Sequence, residues 1–528
     1  MKRPDRAFDP WLVSPWRRGV VAALAGALPV FAFPAPSLWW FAYVALVPWI
    51  LLARSAPTGR RAAYDGWLGG FGFILAVHHW LLPSLNVFTV VIAALLGALW
   101  APWGWLVRRF LAGVPSPGQV GAALLVLPSG WLMVELVRSW QGLGGPWGLL
   151  GSSQWQVEPA LRLASVGGVW LLSFLVVAVN VAVAVLVSVR ESRMPAVAGL
   201  VATAAATSAA WVWSPRPEVD GRVRIAVVQP GVVDGSTSGD RRFAREEALT
   251  RELAGQGADL VVWGESSVGF DLADRPDLAH RVAALSREVG ADILVNVDAR
   301  RSDRPGIYKS SVLVGPHGPT GDRYDKMRLV PFGEYVPARS LFGWATSVGK
   351  AAGEDRRRGT EQVVMNVGHG LRVGPMICFE SAFPDMSRHL AQDGAEVLVA
   401  QSSTSTFQHS WAPEQHASLA ALRAAETGRS MVHATLTGVS AVYGPNGERI
   451  GSWLGTDASG AMVYEVPLAR GVTPYVRFGD WPVHGALLVM AALCLTEGTR
   501  AFRLRRTSPE PLVPPARTTR ESPARPGR

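Results

Sequence analysis

The sequence predicts a two-part protein: an α-helical polytopic membrane part of about eight transmembrane helices, and an α/β sandwich outside the cytoplasmic membrane. Three observations predict it. Hydrophobic residues make up 49% of the 528 and charged residues only 17%, too apolar for an ordinary soluble enzyme. Apolar runs near the roughly 20 residues that a bilayer requires follow one another over residues 1–215. From Arg222 the pattern changes to short β-branched runs that alternate with helical ones.

The first part is read from those runs. They lie near Gly19–Phe33, Leu38–Ala53, Trp67–Leu82, Phe88–Leu106, Val120–Val137, Val166–Val187 and Ala196–Trp213, and an eighth, shorter one spans Gly485–Glu497 with its flanks. Charges between the runs set the orientation. Lys2, Arg3, Arg6, Arg17 and Arg18 precede the first run, Arg54, Arg60 and Arg61 follow the second, and Arg108 and Arg109 follow the fourth. Arg190 and Arg193 follow the sixth, and Arg500, Arg503, Arg505 and Arg506 follow the last. The alternate connections Pro34–Ser37 and Pro83–Val87 carry no such charge, whereas the connection after the fifth run holds Arg138 and Arg162. Positive residues stay inside, so both termini are expected in the cytoplasm and residues ~215–475 outside it. The expected divisions are 1–215, 216–475, 476–504 for the last helix, and a disordered basic cytoplasmic tail over 505–528.

The net charge of +10 raises nucleic acid as a partner. The arginines fall in short connections and in the tail, with no basic face or RNA-binding motif, so membrane orientation explains them better. Twenty-two tryptophans suit interfacial anchoring. Two cysteines provide no disulfide framework, and the first apolar run leads into further spans rather than to a cleavage site. The stretch Gly142–Gly148 is too rich in glycine and proline to continue a helix. It either dips into the interface and presents Trp147 to lipid or forms an external loop.

The second part is expected to alternate strands and helices. Strands are expected at Val223–Gln229, Leu260–Trp263, Ile293–Val297, Ser311–Gly315, Leu371–Ile377, Glu396–Ala400, Met431–Ala434 and Ser440–Tyr443. Helices are expected at Glu246–Gly257, His280–Val289, Met386–Asp393 and Glu414–Thr427. About 250 residues suffice for a separate core.

Three residues stand where a strand gives way to a loop: Glu265, Lys326 and Cys378. Ligands of α/β sheets gather beyond the carboxyl ends of strands. Taken singly, Glu265 is explained as a turn cap and Lys326 as a solvated charge, while Cys378 is either core filler or a candidate nucleophile. Together they form a chemical set. A thiol is mostly protonated at neutral pH and needs a base. A carboxylate whose pKa is raised by burial can serve as that base, and an ammonium can hold the oxyanion formed at an attacked acyl carbon.

In this order and context Glu265, Lys326 and Cys378 resemble the Glu-Lys-Cys triad of the nitrilase, or carbon–nitrogen hydrolase, superfamily. The fuller resemblance is to the apolipoprotein N-acyltransferase family. Tyr324-Asp325-Lys326 with Leu329–Glu334 is similar to that family's lysine segment, and Ile377-Cys378-Phe379-Glu380 to its cysteine segment. Pro146-Trp147 resembles its periplasmic loop, and Thr473-Pro474-Tyr475 with Gly479-Asp480-Trp481 the approach to its last span. The resemblance covers nearly the whole chain up to about Arg506. It implies a nitrilase-like αββα sandwich, with Cys378 as nucleophile, Glu265 as general base and Lys326 as oxyanion stabiliser. Glu334 and Glu380 match two supporting carboxylates. The chain departs from the family at Gln401–Phe407 and at Leu436-Thr437-Gly438, which bears on the pocket wall.

The implied reaction moves a fatty acyl chain from a phospholipid, through a Cys378 thioester, to the α-amine of a lipoprotein's diacylglyceryl-cysteine. The partners are the phospholipid donor, the lipoprotein acceptor and the bilayer, with no nucleic acid. Neither cofactor nor metal is expected. His409, His416 and His433 read as scattered polar residues. Trp147 and Trp344 are the candidate lipid contacts, and Leu341-Phe342-Gly343-Trp344 either rests on acyl chains or packs inside the domain. A membrane-tethered amidase would use the same triad. A transporter would need intramembrane ionisable residues, and His78, His79 and Glu135 are a poor relay.

Overall fold

The computed structural model describes residues 14–507, apart from 234–237, 338, 343–352 and 369. Among the described residues five helices are long and apolar enough to cross a membrane: Val87–Leu111, Pro117–Arg138, Glu158–Ser188, Arg190–Trp213 and Trp481–Arg500. Gly59–Val77 and His79–Leu85 make a sixth if the 63° bend between them lies within one span. The first two expected runs are helical only in pieces. Pro15–Ala27 passes into a 3₁₀ turn, Leu28–Ala32, at Pro29, and Trp39–Tyr43 is a 3₁₀ turn before the short helix Val47–Arg54. Apolar length counts residues, whereas proline removes a donor and breaks the ladder, so eight apolar runs do not yield eight unbroken helices.

These helices pack around indoles. Trp49, Trp100, Trp103 and Trp131 are buried with Phe73, at ring separations of 5.1–5.9 Å. Close approach requires missing side chains: a Cβ on Gly72 would overlap the backbone of Ala23, and one on Gly69 the Trp49 ring. Arg18 is buried against Asp65 at 2.8 Å, so this basic residue is not a solvated charge.

The second part is two six-stranded sheets face to face. Strands β1 (Glu218–Gln229), β2 (Leu260–Trp263), β3 (Asp292–Arg300), β4 (Ile307–Gly315) and β5 (Gly318–Asp325) form one, and β6 (Met365–Val367), β7 (Leu371–Ile377), β8 (Val397–Ser402), β9 (Ser430–Thr435), β10 (Ser440–Tyr443) and β11 (Arg449–Leu454) the other. The last strand, β12 (Gly460–Arg470), returns to the first sheet, giving the orders β12-β1-β2-β3-β4-β5 and β11-β10-β9-β8-β7-β6. Within each sheet three neighbours run parallel: β1, β2 and β3 in one and β7, β8 and β9 in the other. Their apolar faces meet in one core, Ile225, Val227, Val262 and Leu294 against Val373, Val397, Val399 and Met431. Helices Pro276–Val289 and Pro384–Gln392 cover opposite outer faces. β5, β6, β11 and β12 are absent from the sequence expectation. They are edge strands or antiparallel returns with mixed polarity, such as the exposed β11, so their hydrophobic pattern is faint.

The two parts are joined by specific contacts. Glu158–Ser188 is kinked at Gly167 and Gly168, where Gly168 has φ +66° and faces the Tyr475 ring. The backbone N–H of Val169 freed by the kink donates to Glu426 Oε1 of the sandwich at 2.8 Å. Glu426 itself is paired with Arg423 at 2.7 Å, both fully buried. A helix start in the membrane part is thus capped by a carboxylate of the other part.

The parallel strands end together, at Trp263, Ile377 and Ser402, beside the helices. Gly264 crosses so near the Leu436 backbone that a Cβ there would overlap it. Gly264→Ala is therefore expected to destabilise the protein by about 1–3 kcal/mol, the usual cost of overpacking. A denaturation midpoint equal to wild type would refute the close crossing.

Candidate functional site

Each of the three predicted residues sits one or two positions beyond a strand. Glu265 follows β2, and its N–H donates to Ser402 O at 3.1 Å, which fixes it to the opposite sheet. Lys326 follows β5, with its N–H on Lys309 O at 2.8 Å. Cys378 follows β7 and opens a 3₁₀ turn, Cys378–Ala382, with φ +51°. A left-handed conformation at a non-glycine residue is held only where the surroundings overdetermine it. Here His416 Nε2–H and Ser381 Oγ–H both donate to the Cys378 carbonyl, each at 3.0 Å.

The structure brings the three together. Lys326 Nζ donates to Glu265 Oε1 at 3.1 Å and to Glu334 Oε1 at 2.8 Å. The Cys378 thiol lies close enough for the Glu265 carboxylate and both lysines to act on its charge, and it donates to the Ser403 carbonyl at 3.9 Å. Glu334 Oε2 accepts the Val330 N–H at 2.8 Å, so the loop that carries Glu334 is closed on itself. Glu380 does not face the thiol. Its Oε1 accepts from Tyr324 Oη at 2.7 Å, Met327 N at 2.7 Å and Arg328 N at 3.0 Å, while Oε2 accepts from Ile377 N at 2.8 Å. This one carboxylate pins the lysine segment to the cysteine strand.

A fourth charged residue stands in the centre that the sequence reading missed. Lys309 of β4 places its ammonium 2.8 Å from Glu265 Oε1 and 3.0 Å from Glu334 Oε1. Its register partner is Asp298, an ordinary cross-strand ion pair on the sequence level, and nothing in the local pattern separates it from a solvated lysine. His416 and His433 are also not scattered. Their rings lie 4.8 Å apart, both buried behind the nucleophile, whereas His409 is exposed. His433 accepts from Ser402 Oγ at 3.0 Å, and burial keeps both imidazoles neutral, with the His416 pKa lowered to about 4.

The electrostatics differ from the expectation of a carboxylate raised toward neutrality. Burial does push Glu265 up, but the Lys309 and Lys326 ammoniums outweigh it and hold the carboxyl below its ordinary range. Burial likewise raises Glu334, and the same two lysines bring it down. The Cys378 thiol is pushed up to about 12 by burial and by the neighbouring Glu265 charge. The resting centre is thus carboxylate and thiol, not carboxylic acid and thiolate.

The thiol opens into a cavity of about 330 Å³ between the sandwich and the helices. Trp80, Trp147, Phe379, Phe407 and Leu85 line it, and it reaches Leu95, which is 70% exposed on the outer face of the helices. Trp147 is buried rather than presented to the surroundings: its Nε1 donates to Gln415 Oε1 at 2.9 Å, and its ring packs 5.4 Å from Trp80 and 5.2 Å from His416. Ser403, Thr404 and Phe407, from the departing segment, are part of the wall. Trp344 lies outside the described residues. Three larger clefts, about 660, 640 and 380 Å³, are lined by other residues and do not include the thiol. Among the described residues no group of three or more His, Cys, Asp or Glu side chains converges as a metal site.

The pinning role of Glu380 is testable. In Glu380→Gln one of two acceptor oxygens becomes an NH₂ that faces an N–H or O–H donor. The variant is expected to lose about 1.5–3 kcal/mol of stability, the worth of a buried charge-assisted hydrogen bond. Unfolding of the purified protein in detergent measures this, and an unchanged midpoint would remove the role.

Comparison with known proteins identifies the family. The carbon-nitrogen hydrolase family model matches residues 224–472, and the apolipoprotein N-acyltransferase N-terminal domain model matches residues 25–182. An apolipoprotein N-acyltransferase of Geobacter metallireducens is 30% identical over 525 residues, covering 93% of this chain and 97% of its own. One of Azotobacter vinelandii is 30% identical over 529 residues, covering 95% of this chain and 99% of its own. Among solved structures, a mutant of the Nesterenkonia AN1 amidase from the nitrilase superfamily aligns over 52% of this chain and 98% of its own, at 18% identity and a TM-score of 0.35. With full-length relatives at this identity and both halves matched, the chain belongs to the apolipoprotein N-acyltransferase family.

Proposed function

We propose that the protein transfers a fatty acyl chain from a phospholipid to the α-amine of a lipoprotein's diacylglyceryl-cysteine, with Cys378 as nucleophile, Glu265 as base and Lys326 as oxyanion partner. The observation that carries the reading is the apolar cavity, which joins the Cys378 thiol to the outer face of the helices. A hydrolase of water-borne amides has no use for such a path.

In the first half-reaction Cys378 Sγ attacks the ester carbonyl of the donor as its proton passes to Glu265. Both lysines bond Oε1 of Glu265, which leaves the other oxygen for that proton. A thiol at about 12 beside an ionised carboxylate means that proton transfer accompanies attack rather than precedes it. The Lys326 ammonium meets the tetrahedral oxyanion. The C–O bond breaks, Glu265 returns its proton to the lysophospholipid oxygen, and a thioester remains on Cys378. In the second half the acceptor amine attacks the thioester and gives its proton to Glu265. The C–S bond breaks, and the proton goes back to sulfur. Neither metal nor cofactor enters these steps.

The wider reading is an inner-membrane protein with eight spans and both termini cytoplasmic. Residues 216–475 would form the catalytic domain outside, between helices in 1–215 and the last helix in 476–504, with 505–528 as a cytoplasmic tail. The alternation of arginine-rich and charge-free connections supports that orientation. Trp147 would bear on the acyl chain in the cavity, and Trp344 would do so from the segment beyond the described residues. The rival is a tethered amidase, which would release fatty acid to water.

Mass spectrometry after incubation with phospholipid alone tests the first half-reaction. A fatty-acyl mass is expected on the Cys378 peptide, with lysophospholipid released, and neither in Cys378→Ala. Free fatty acid without N-acylated peptide on adding a lipopeptide acceptor would favour the amidase. The pH dependence follows from the depressed Glu265. A base held below its ordinary value stays ionised as pH falls, so single-turnover acylation is expected to persist to below about pH 5. An acid limb near pH 6–7 would contradict the depression.

A further inference from the structure

Lys309 and Lys326 alternate with Glu265 and Glu334 in a closed ring. Its four edges are Lys309–Glu265 at 2.8 Å, Lys309–Glu334 at 3.0 Å, Lys326–Glu334 at 2.8 Å and Lys326–Glu265 at 3.1 Å. Both ammoniums meet the same oxygen, Oε1, of each carboxylate. Two charges of each sign cancel, so the centre is neutral while the thiol keeps its proton.

The reaction proposed above disturbs that balance. Lys326 has to turn toward the developing oxyanion, away from one or both carboxylates. With a single lysine, two buried carboxylates would then face each other uncompensated, which a low-dielectric interior strongly disfavours. Lys309 bonds both of the same oxygens and comes from a different strand, so it stays behind. Its other neighbours leave it little else to do. Asp298 lies 3.9 Å away and is engaged by Arg356 Nη2 and by Ser266 Oγ, each at 3.3 Å. The Lys309 carbonyl holds the backbone N–H of Lys326, so β4 sets the position of both ammoniums.

We propose that Lys309 is a positioning residue for acyl transfer: it counters Glu265 and Glu334 while Lys326 leaves them for the oxyanion, and so keeps the base ionised. This rests on the acyl-transfer reading of the site. The groups that face the Lys309 ammonium are Glu265, Glu334 and Asp298, with Lys326, Cys378 and Arg356 beyond them. Burial pulls Lys309 down, but Glu265 and Glu334 more than restore it, so it stays charged. Without it, Glu265 and Glu334 lose one of their two cations and both rise. A base that titrates higher is lost earlier as pH falls, so the acid limb of acylation moves to higher pH.

The test is single-turnover thioester formation on Cys378 against pH, from a phospholipid donor, in wild type, Lys309→Met, Lys309→Gln and Lys309→Arg. The neutral variants are expected to be slowed at least about tenfold at pH 7 and to show an acid limb raised by about one unit or more. Lys309→Arg, which keeps the charge, is expected to retain the wild-type limb. An unmoved limb in a folded neutral variant overturns the proposal, as does an equal shift in Lys309→Arg. If neither neutral variant folds, Lys309 is a structural ion-pair partner and the proposal fails. Wild-type protein that forms no thioester overturns the acyl-transfer reading instead. The role of Lys309 is then read from iodoacetamide alkylation of Cys378, whose profile moves to higher pH when a nearby cation is removed, and an unmoved profile sinks it.

Discussion

Four charges with almost no water around them constrain the rest of this structure. Glu265, Glu334, Lys309 and Lys326 lie together, all but Lys309 at most 5% exposed, beside an apolar cavity. Ions are removed from water only where partners sit at hydrogen-bond distance on several sides. Four separate segments supply them: the ends of β2 and β5, the interior of β4 and the Val330–Glu334 loop. The double sheet is what holds those segments in fixed register. Glu265 is tied to the opposite sheet through Ser402, and the lysine segment is tied to the cysteine strand through Glu380. Loss of any tie changes where a charge sits and hence how strongly its neighbour is protonated.

The membrane part is not a passive anchor for that centre. It builds one side of the cavity, through Trp80, Leu85 and Leu95, and its Gly142–Gly148 loop places Trp147 against His416 behind the nucleophile. Polar joints fix the arrangement: Trp80 and Trp147 both donate to Gln415, and Glu426 caps the kinked helix at Val169. A sulfur that has to meet ester carbonyls of lipids needs an apolar approach on one side and ionised groups on the other. The seam between a helical bundle and a sheet sandwich provides both.

The sequence was most legible where physical periodicity was strong. β2, β7 and β10 stand where their apolar runs end, because strands inside a sheet bury most of their length. Three helices of the sandwich were readable from their apolar spacing to within a few residues at their starts, whereas the one expected at Glu246–Gly257 runs instead over Ser238–Arg251. The edge strands were not, since an exposed strand carries no run to read. Apolar length also overstated the unbroken helices, because Pro29 and the bend after Val77 interrupt runs that hydropathy treats as continuous.

The candidate site divides along the same line. Glu265 and Cys378 were found from their place after expected strands, and Lys326 from the resemblance of its Tyr324–Glu334 segment, all local properties of the chain. Order along the chain also set their chemistry as a carboxylate, an ammonium and a thiol. Their protonation was a matter of tertiary placement. Glu265 was expected to be raised by burial and is instead held down by two ammoniums, one of them on a strand 44 residues away. Lys309 looks like any cross-strand lysine until its side chain is placed, and Trp147 looks like a lipid-facing indole until Gln415 arrives beside it. Residue type and spacing pass along the chain, but charge balance is a sum over neighbours in space, and those neighbours come from distant segments.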